Sequence, residues 1–321
     1  MTQPLTIQLI APSGFADPQA VQRGVEHLER AGHRVLGKDA GLRRHQRFAG
    51  SDAERIAEIN RLTDMDQPLP DIVMAIRGGY GAHRLLAHLD YEGLGARLRD
   101  SACVLVGHSD FTAISLALNA RAGVTSFAGP MLAYDFGGQV TSSFTLDHFW
   151  NTIGARSYGV QWDGRVDREV DTWGMLWGGN LAVVCSLLGT PYMPEADHGI
   201  LFLEDVFEPV YRIERLLYQL KLGGVLDRQR VILLGNFASC NVDEYDPAYD
   251  LRAVVEHLRT LTDVPVISGL PFGHIRDKLT LPVGARTRIK AGVDGHVGLA
   301  FSGYPHLAAK DAPAPRMEQT P

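Results

Sequence analysis

Cysteine is scarce in this chain. There are three, Cys103, Cys185 and Cys240, far apart and without CxxC spacing. An odd, scattered set argues against a disulfide framework and against a thiolate zinc site. The three read as small buried hydrophobes. Long apolar runs are missing too, and none approaches the length that spans a bilayer. The N-terminus, MTQPLTIQLIAPSGF, has no basic n-region and no small-residue cleavage site. No membrane partner is expected, and a reducing, cytoplasmic setting is the simplest inference. Basic blocks are absent. Formal net charge is −6, spread along the sequence, so no nucleic-acid partner is expected. No HExxH, EF-hand or clustered His/Cys pattern occurs, which argues against a metal, and no GxxxxGK[ST] phosphate loop occurs.

What is present is alternation. LTIQLIAP is a β-like run ending at Pro12-Ser13-Gly14. PQAVQRGVEHLERAG has helical periodicity, with Val21, Val25 and Leu28 on one face and Gly32 as a stop. HRVLG reads as a short strand. SDAERIAEINRLTDM reads as a helix with Ser51 as cap and Glu54 completing a capping box. DIVMAIRGGYGAHRLLAHL reads as strand, glycine turn, helix, and VLVGHSDFTAISLAL repeats that plan. Such alternation predicts a mainly parallel sheet covered on both faces. Its ligands are expected beyond the carboxyl ends of the strands, where the turns APSG, RGGYG and GHSD point.

From about Phe149 the texture changes to glycine, charge and aromatics. A second, more β-rich domain is expected. ILFLEDV is a strand ending in acids, YRIERLLYQLKLGG a helix, RVILLGNF a strand, YDLRAVVEHLRTL a helix, and VPVISGLPFGH a strand leading to a histidine. The expected organisation is an N-terminal α/β domain over residues 1–150, a C-terminal domain over 151–310, and a flexible tail over 311–321.

Several residues can carry chemistry. Ser109 sits between an apolar strand and a helix. It reads either as a helix N-cap or as a nucleophile at a strained elbow, although GHSDF lacks the second glycine of that motif. A serine nucleophile needs a base, and the base needs an orienting acid. Most histidines fall on helix surfaces. His108 adjoins the serine, but neighbours on a strand point to opposite faces. His274 follows a strand and the turn Leu270–Gly273, so a loop places it. Glu204 and Asp205 close an apolar strand, where a buried carboxylate needs a partner and a surface strand end is the alternative. Backbone N–H groups of RGGYG can hold an oxyanion.

The set IAPSG, AIRGGYGAHRLL, VGHSDFTAI, FAGPML, LWGGNL, ILFLEDV with YRIERLLYQL, and GLPFGH with LPVGA resembles the bacterial L,D-carboxypeptidases, the muramoyl-tetrapeptide carboxypeptidases. The blocks keep their order from about Ile10 to Gly284. The resemblance implies a flavodoxin-like parallel α/β domain, a swivelling β-rich C-terminal α/β domain and a homodimer. It implies a cytoplasmic serine peptidase of peptidoglycan recycling. Its substrate would be a murein tetrapeptide ending in meso-diaminopimelate–D-Ala. By motif it implies a triad of Ser109, Glu204 and His274, with main-chain oxyanion donors at Gly79 and Asp110. No cofactor and no metal are implied. Arg77 then becomes a candidate clamp for the substrate carboxylate, and Gly78 a candidate substrate-binding residue. Arg77 pairing with a protein acid is the alternative. Asn180 either lines the pocket or opens the helix that follows it.

Overall fold

The computed structural model describes residues 4–240, 245 and 247–307. The tail expected at 311–321 lies outside the described residues. The first half forms five parallel strands: β1 (Thr6–Ile10), β2 (Arg34–Leu36), β3 (Ile72–Ala75), β4 (Val104–Gly107) and β5 (Ser126–Ala128). β3 and β4 are buried at every position, as a sheet covered on both faces requires. The intervening helices are α1 (Pro18–Arg30), α2 (Asp52–Asn60), α3 (Tyr91–Leu98), α4 (Thr112–Ala122) and α5 (Ser143–Gly154). Ser51 and Glu54 form a capping box at α2. Val21, Val25 and Leu28 are the buried face of α1.

The strand order is β2-β1-β3-β4-β5, the flavodoxin-like order. Strand order reverses between β1 and β3. The turns APSG, RGGYG and GHSD follow β1, β3 and β4, so all three gather at the carboxyl edge of the sheet.

One helix expected from the sequence is absent. AHRLLAHL forms two short 3₁₀ turns, Ala82–Arg84 and Leu86–His88, and α3 begins only at Tyr91, capped by Asp90. Tertiary bonds take the place of helical ones. The Gly81 carbonyl accepts from the Arg55 guanidinium, and the Ala82 N–H donates to the Asp110 carboxylate.

The second half adds eight described strands: β6 (Ser157–Asp163), β7 (Val170–Asn180), β8 (Ile200–Val206), β9 (Val231–Ala238), β10 (Val266–Ser268), β11 (Leu281–Val283), β12 (Arg286–Ala291) and β13 (His296–Ser302). Its helices are α6 (Leu181–Ser186), α7 (Val210–Leu222) and α8 (Leu251–Leu261). Seven strands form one mixed sheet, in the order β10-β9-β8-β7-β12-β13-β6. β7 to β10 run parallel, and β12, β13 and β6 are antiparallel. β11 instead returns to the first sheet and pairs antiparallel with β5. One apolar core runs through both halves. Among the described residues, no helix is long and apolar enough to cross a membrane.

The two halves are fastened just past His274. Lys278 is 1% exposed and its ammonium pairs with Asp135, itself 3% exposed. The Ser142 hydroxyl donates to Asp277 at 2.6 Å, and the Thr145 hydroxyl bridges the Arg276 carbonyl and the Lys278 N–H. Removing one partner of a buried pair strands the other charge. Lys278→Met is therefore expected to lower unfolding free energy by about 3–5 kcal/mol. Urea titration checks this, and a loss under about 1 kcal/mol would count against a structural pair.

Candidate active site

β4 delivers Ser109. The strand is extended through His108, and then Ser109 takes φ +64°, a left-handed conformation that side chains adopt at a cost. A 3₁₀ turn, Ser109–Phe111, starts there and runs into α4. The helix-cap reading of Ser109 does not hold. The cap position belongs to His108, and no side chain caps the turn. The Ser109 hydroxyl instead lies 3.0 Å from His274 Nε2. Gly78 makes this approach feasible, because a Cβ there would come within 2.7 Å of the Ser109 Cβ.

The partners come from the second sheet. His274 Nδ1 is 2.8 Å from Glu204 Oε2. Glu204 is fully buried and His274 partly so, with 24% of its side chain exposed. The surface-end alternative for Glu204 and Asp205 is therefore overturned, since both are buried. A register irregularity sits beside Glu204: Leu203 pairs with Leu234 and Asp205 with Phe237, so β9 carries an extra residue opposite it. Bulges of this kind re-aim a side chain. Gly273, at φ +137°, lets the backbone before His274 pass the carboxylate; a Cβ there would lie 3.3 Å from Oε2.

Burial alone would push the Glu204 carboxyl up. The histidines His108 and His274, by their charge when protonated and by hydrogen bonding, outweigh it and hold the carboxyl down at about 2. Asp205 is also buried but differently satisfied. It accepts from the Asn180 amide, the Ala182 N–H and its neighbour Val206, and burial pushes its carboxyl up. Asn180 opens α6 as its N-cap, with its Oδ1 accepting from Val183 and its Nδ2 facing Asp205 and Glu204. The helix-opening alternative is the one the structure places.

The three N-terminal turns meet at Asp110. Its buried carboxylate accepts from the Ser13 hydroxyl at 2.6 Å and the Ala82 N–H at 2.8 Å. Arg55, fully buried, donates to the carbonyls of Pro12 and Gly81 and pairs with Asp52. APSG and RGGYG are thereby held against the elbow. Gly79 is exposed beside Gly78. The Asp110 N–H lies in the first helical turn, where backbone donors have no intrahelical partner. Arg77 is exposed and donates to the Phe15 carbonyl at 2.8 Å. Among the described residues no carboxylate pairs with it.

A second serine–histidine contact has different surroundings. Ser186 Oγ is 2.6 Å from His83 Nε2, but that hydroxyl donates back to the Val183 carbonyl within α6. Its backbone is helical and unstrained. Cys103 and Cys185 are buried, and burial pushes both thiols up to about 12. By distance alone His108, Glu204 and His274 could hold a metal, since their ligand atoms lie within 4.8 Å of one another.

The model of the LD-carboxypeptidase N-terminal domain matches residues 7–129, which include Ser109. That of the LD-carboxypeptidase C-terminal domain matches 173–289, which include Glu204 and His274. This chain belongs to the LD-carboxypeptidase family. A muramoyltetrapeptide carboxypeptidase from Oxalobacter formigenes has a similar solved structure, with TM-score 0.86 and 40% identity over 94% of this chain and 99% of that one. The murein tetrapeptide carboxypeptidase of Pseudomonas aeruginosa is 32% identical over 298 residues, 87% of this chain and 91% of that protein. The microcin C7 self-immunity protein MccF of Escherichia coli is 29% identical over 315 residues, 87% and 88% of the two chains. LD-carboxypeptidase relatives thus include both murein peptidases and an immunity protein.

Sequence reasoning missed His108 and Arg55. His108 is set aside by strand alternation, which applies only to continuously extended backbone. The left-handed turn at Ser109 breaks that continuity, and both residues reach the site. Arg55 lies within a polar helix sequence, and nothing local marks it as buried.

His108 has a consequence for stability. It is buried, and burial holds its imidazole below the ordinary value of 6.5, in part against the pull of Glu204. The unfolded chain protonates near 6.5, so it binds more protons and folding weakens as pH falls through that value. Buried Glu58, Asp110 and Asp205 act in the opposite sense, because their carboxyls are pushed up. Urea unfolding at about pH 7.5 and about pH 5.5 should therefore show a smaller pH effect in His108→Gln than in wild type. Equal effects in the two would remove His108 as the source.

Proposed function

We propose that this protein is a metal-free serine carboxypeptidase acting on murein tetrapeptides. It would hydrolyse the amide between meso-diaminopimelate and the terminal D-Ala in peptidoglycan recycling. The observation that carries this reading is the relay Ser109–His274–Glu204, at 3.0 and 2.8 Å, in a chain of this family. Ser109 Oγ attacks the diaminopimelate carbonyl, and His274 Nε2 accepts its proton. Glu204 keeps the other ring proton on Nδ1, so that Nε2 is free to act as base. The N–H groups of Gly79 and Asp110 hold the tetrahedral oxyanion, each worth about 2.7–4 kcal/mol of barrier. His274 returns the proton to the D-Ala amine, which leaves. Water then attacks the acyl-enzyme by the same base.

Arg77 is the proposed clamp for the D-Ala carboxylate, since a guanidinium binds a carboxylate by two hydrogen bonds. It stands beside Gly79, with its guanidinium 3.6 Å from the Cβ position there. Gly78 forms the floor under the nucleophile. The family resemblance also assigns a cytoplasmic location and a homodimer to this reading.

The second reading is amide cleavage of a peptide-nucleotide antibiotic, as the likeness to an immunity protein suggests. It needs an aromatic platform for a base. All four tryptophans of this chain sit in α5, β6 and β7 rather than on a loop at the elbow, but exposed Tyr80 stands in RGGYG beside it, so the choice between the two rests on the substrate test. The third is a muropeptide-binding protein without turnover. The test is D-Ala release from L-Ala-γ-D-Glu-meso-diaminopimelate-D-Ala, beside cleavage of an aminoacyl sulfamoyl nucleotide, with EDTA present. Faster D-Ala release is expected. Nucleotide cleavage alone would transfer the assignment to the second reading. Binding without a trappable acyl-enzyme would transfer it to the third.

A further inference from the structure

Glu204 has two oxygens, and the relay uses one. Oε2 faces His274; Oε1 lies 3.4 Å from Asn180 Nδ2 and 3.5 Å from His108 Nε2. The Asn180 amide is taken up more closely by Asp205, at 2.9 Å. His108 Nε2 has no hydrogen-bond partner, although the residue is only 3% exposed. A buried polar nitrogen aimed at a carboxylate and held by nothing else calls for a role. Its ring also lies against the His274 ring, centroids 4.4 Å apart at 45°, and meets the edge of Phe272 at 5.2 Å. His108 therefore borders both the acid and the base.

We propose that His108 is a positioning residue: a neutral imidazole, protonated on Nε2, that turns its N–H to Glu204 Oε1 and walls one face of His274. The proposal rests on the triad reading above. The Asn180 amide, shared with Asp205, restrains Oε1 from one side at 3.4 Å; an N–H from His108 restrains it from a second, so that the carboxylate cannot rotate away from the imidazole. The contact is long in the resting site, and such contacts tighten as charge develops. Neutrality is part of the role. Glu204 and His274 face His108, and the charge of Lys278, which is paired with Asp135, also reaches it. A cation at His108 would compete with protonated His274 for the one carboxylate. A neutral N–H orients Oε1 without that competition.

Two variants separate the parts. His108→Phe keeps a ring against His274 and Phe272 but removes the N–H. His108→Gln keeps an N–H but removes the ring. The readout is the rate at which a fluorophosphonate labels Ser109, followed against pH, with urea unfolding to check the fold. His108→Phe is expected to label about tenfold more slowly, the loss of one hydrogen bond to a charged group. Its acid limb should move to higher pH, because Glu204, no longer sharing its charge, holds a protonated imidazole more firmly. His108→Gln should keep the wild-type acid limb. Wild-type rate and limb in His108→Phe would overturn the proposal. So would equal rates and limbs in the two variants, which would leave His108 a packing residue.

Failure of the triad reading looks different. Labelling that persists in Ser109→Ala, or none in wild type, overturns that reading. His108 is then judged by NMR alone. The His274 Nδ1–H resonance should move downfield in His108→Phe and stay in place in His108→Gln. An unmoved resonance in His108→Phe overturns the proposal.

Discussion

Ser109→Ala is expected to release D-Ala from a murein tetrapeptide at least about 10⁴-fold more slowly than wild type, at little cost to substrate binding. In the proposed mechanism the hydroxyl forms the acyl bond, so no neighbouring group could replace it. The residual rate would come from the oxyanion donors and the bound geometry alone. EDTA should not change either rate. A companion variant reads the strain. Ser109 stands at φ +64°, a conformation that a Cβ disfavours and glycine adopts freely. Ser109→Gly should therefore be more stable to urea than Ser109→Ala by about 1 kcal/mol, while being just as inactive. Equal D-Ala release by wild type and Ser109→Ala would overturn the nucleophile assignment.

Glu204→Gln is expected to lose about 10⁴-fold in kcat/KM, although it changes one atom and no volume. The reason is the tautomer. Asn180 Nδ2 lies 3.4 Å from Oε1 and can only donate. A glutamine amide satisfies it by placing its oxygen there. Its NH₂ then faces His274 Nδ1, which must accept, and the ring proton is forced onto Nε2. A protonated Nε2 cannot take the Ser109 proton. If the glutamine instead turned its oxygen to His274, the loss would be nearer tenfold. A loss within that smaller range would show that Glu204 serves by shape rather than by charge. Steady-state kinetics on the tetrapeptide, with urea unfolding to verify the fold, decides between them.

Much of the fold was legible because its signals are local. Apolar runs of four or five residues ending at Pro12-Ser13-Gly14, at Gly78-Gly79 and at Gly107 mark the strands and their turns. The capping box at Ser51 and Glu54 marks a helix start with two side chains three residues apart. The stretch after RGGYG misled for the opposite reason. Its leucines have helical spacing, but Arg55 and Asp110, far along the chain, take the backbone groups that a helix would use.

The sequence by itself determined the alternating plan, the carboxyl edge as the place for a site, and Ser109, Glu204 and His274 as candidates through a family resemblance. Only the tertiary structure decided that Ser109 caps nothing and meets His274 at 3.0 Å, across 165 positions of chain. It also decided that Asn180 opens α6 and donates to Asp205, and that His108 borders the relay. Local pattern reports what a residue does to its own backbone. The contact of Ser109, His274 and Glu204 is set by two sheets meeting, through a buried Lys278–Asp135 pair, one left-handed serine and a bulge opposite Glu204. None of these leaves a periodic trace in sequence, because each depends on which distant groups must be satisfied once water is excluded.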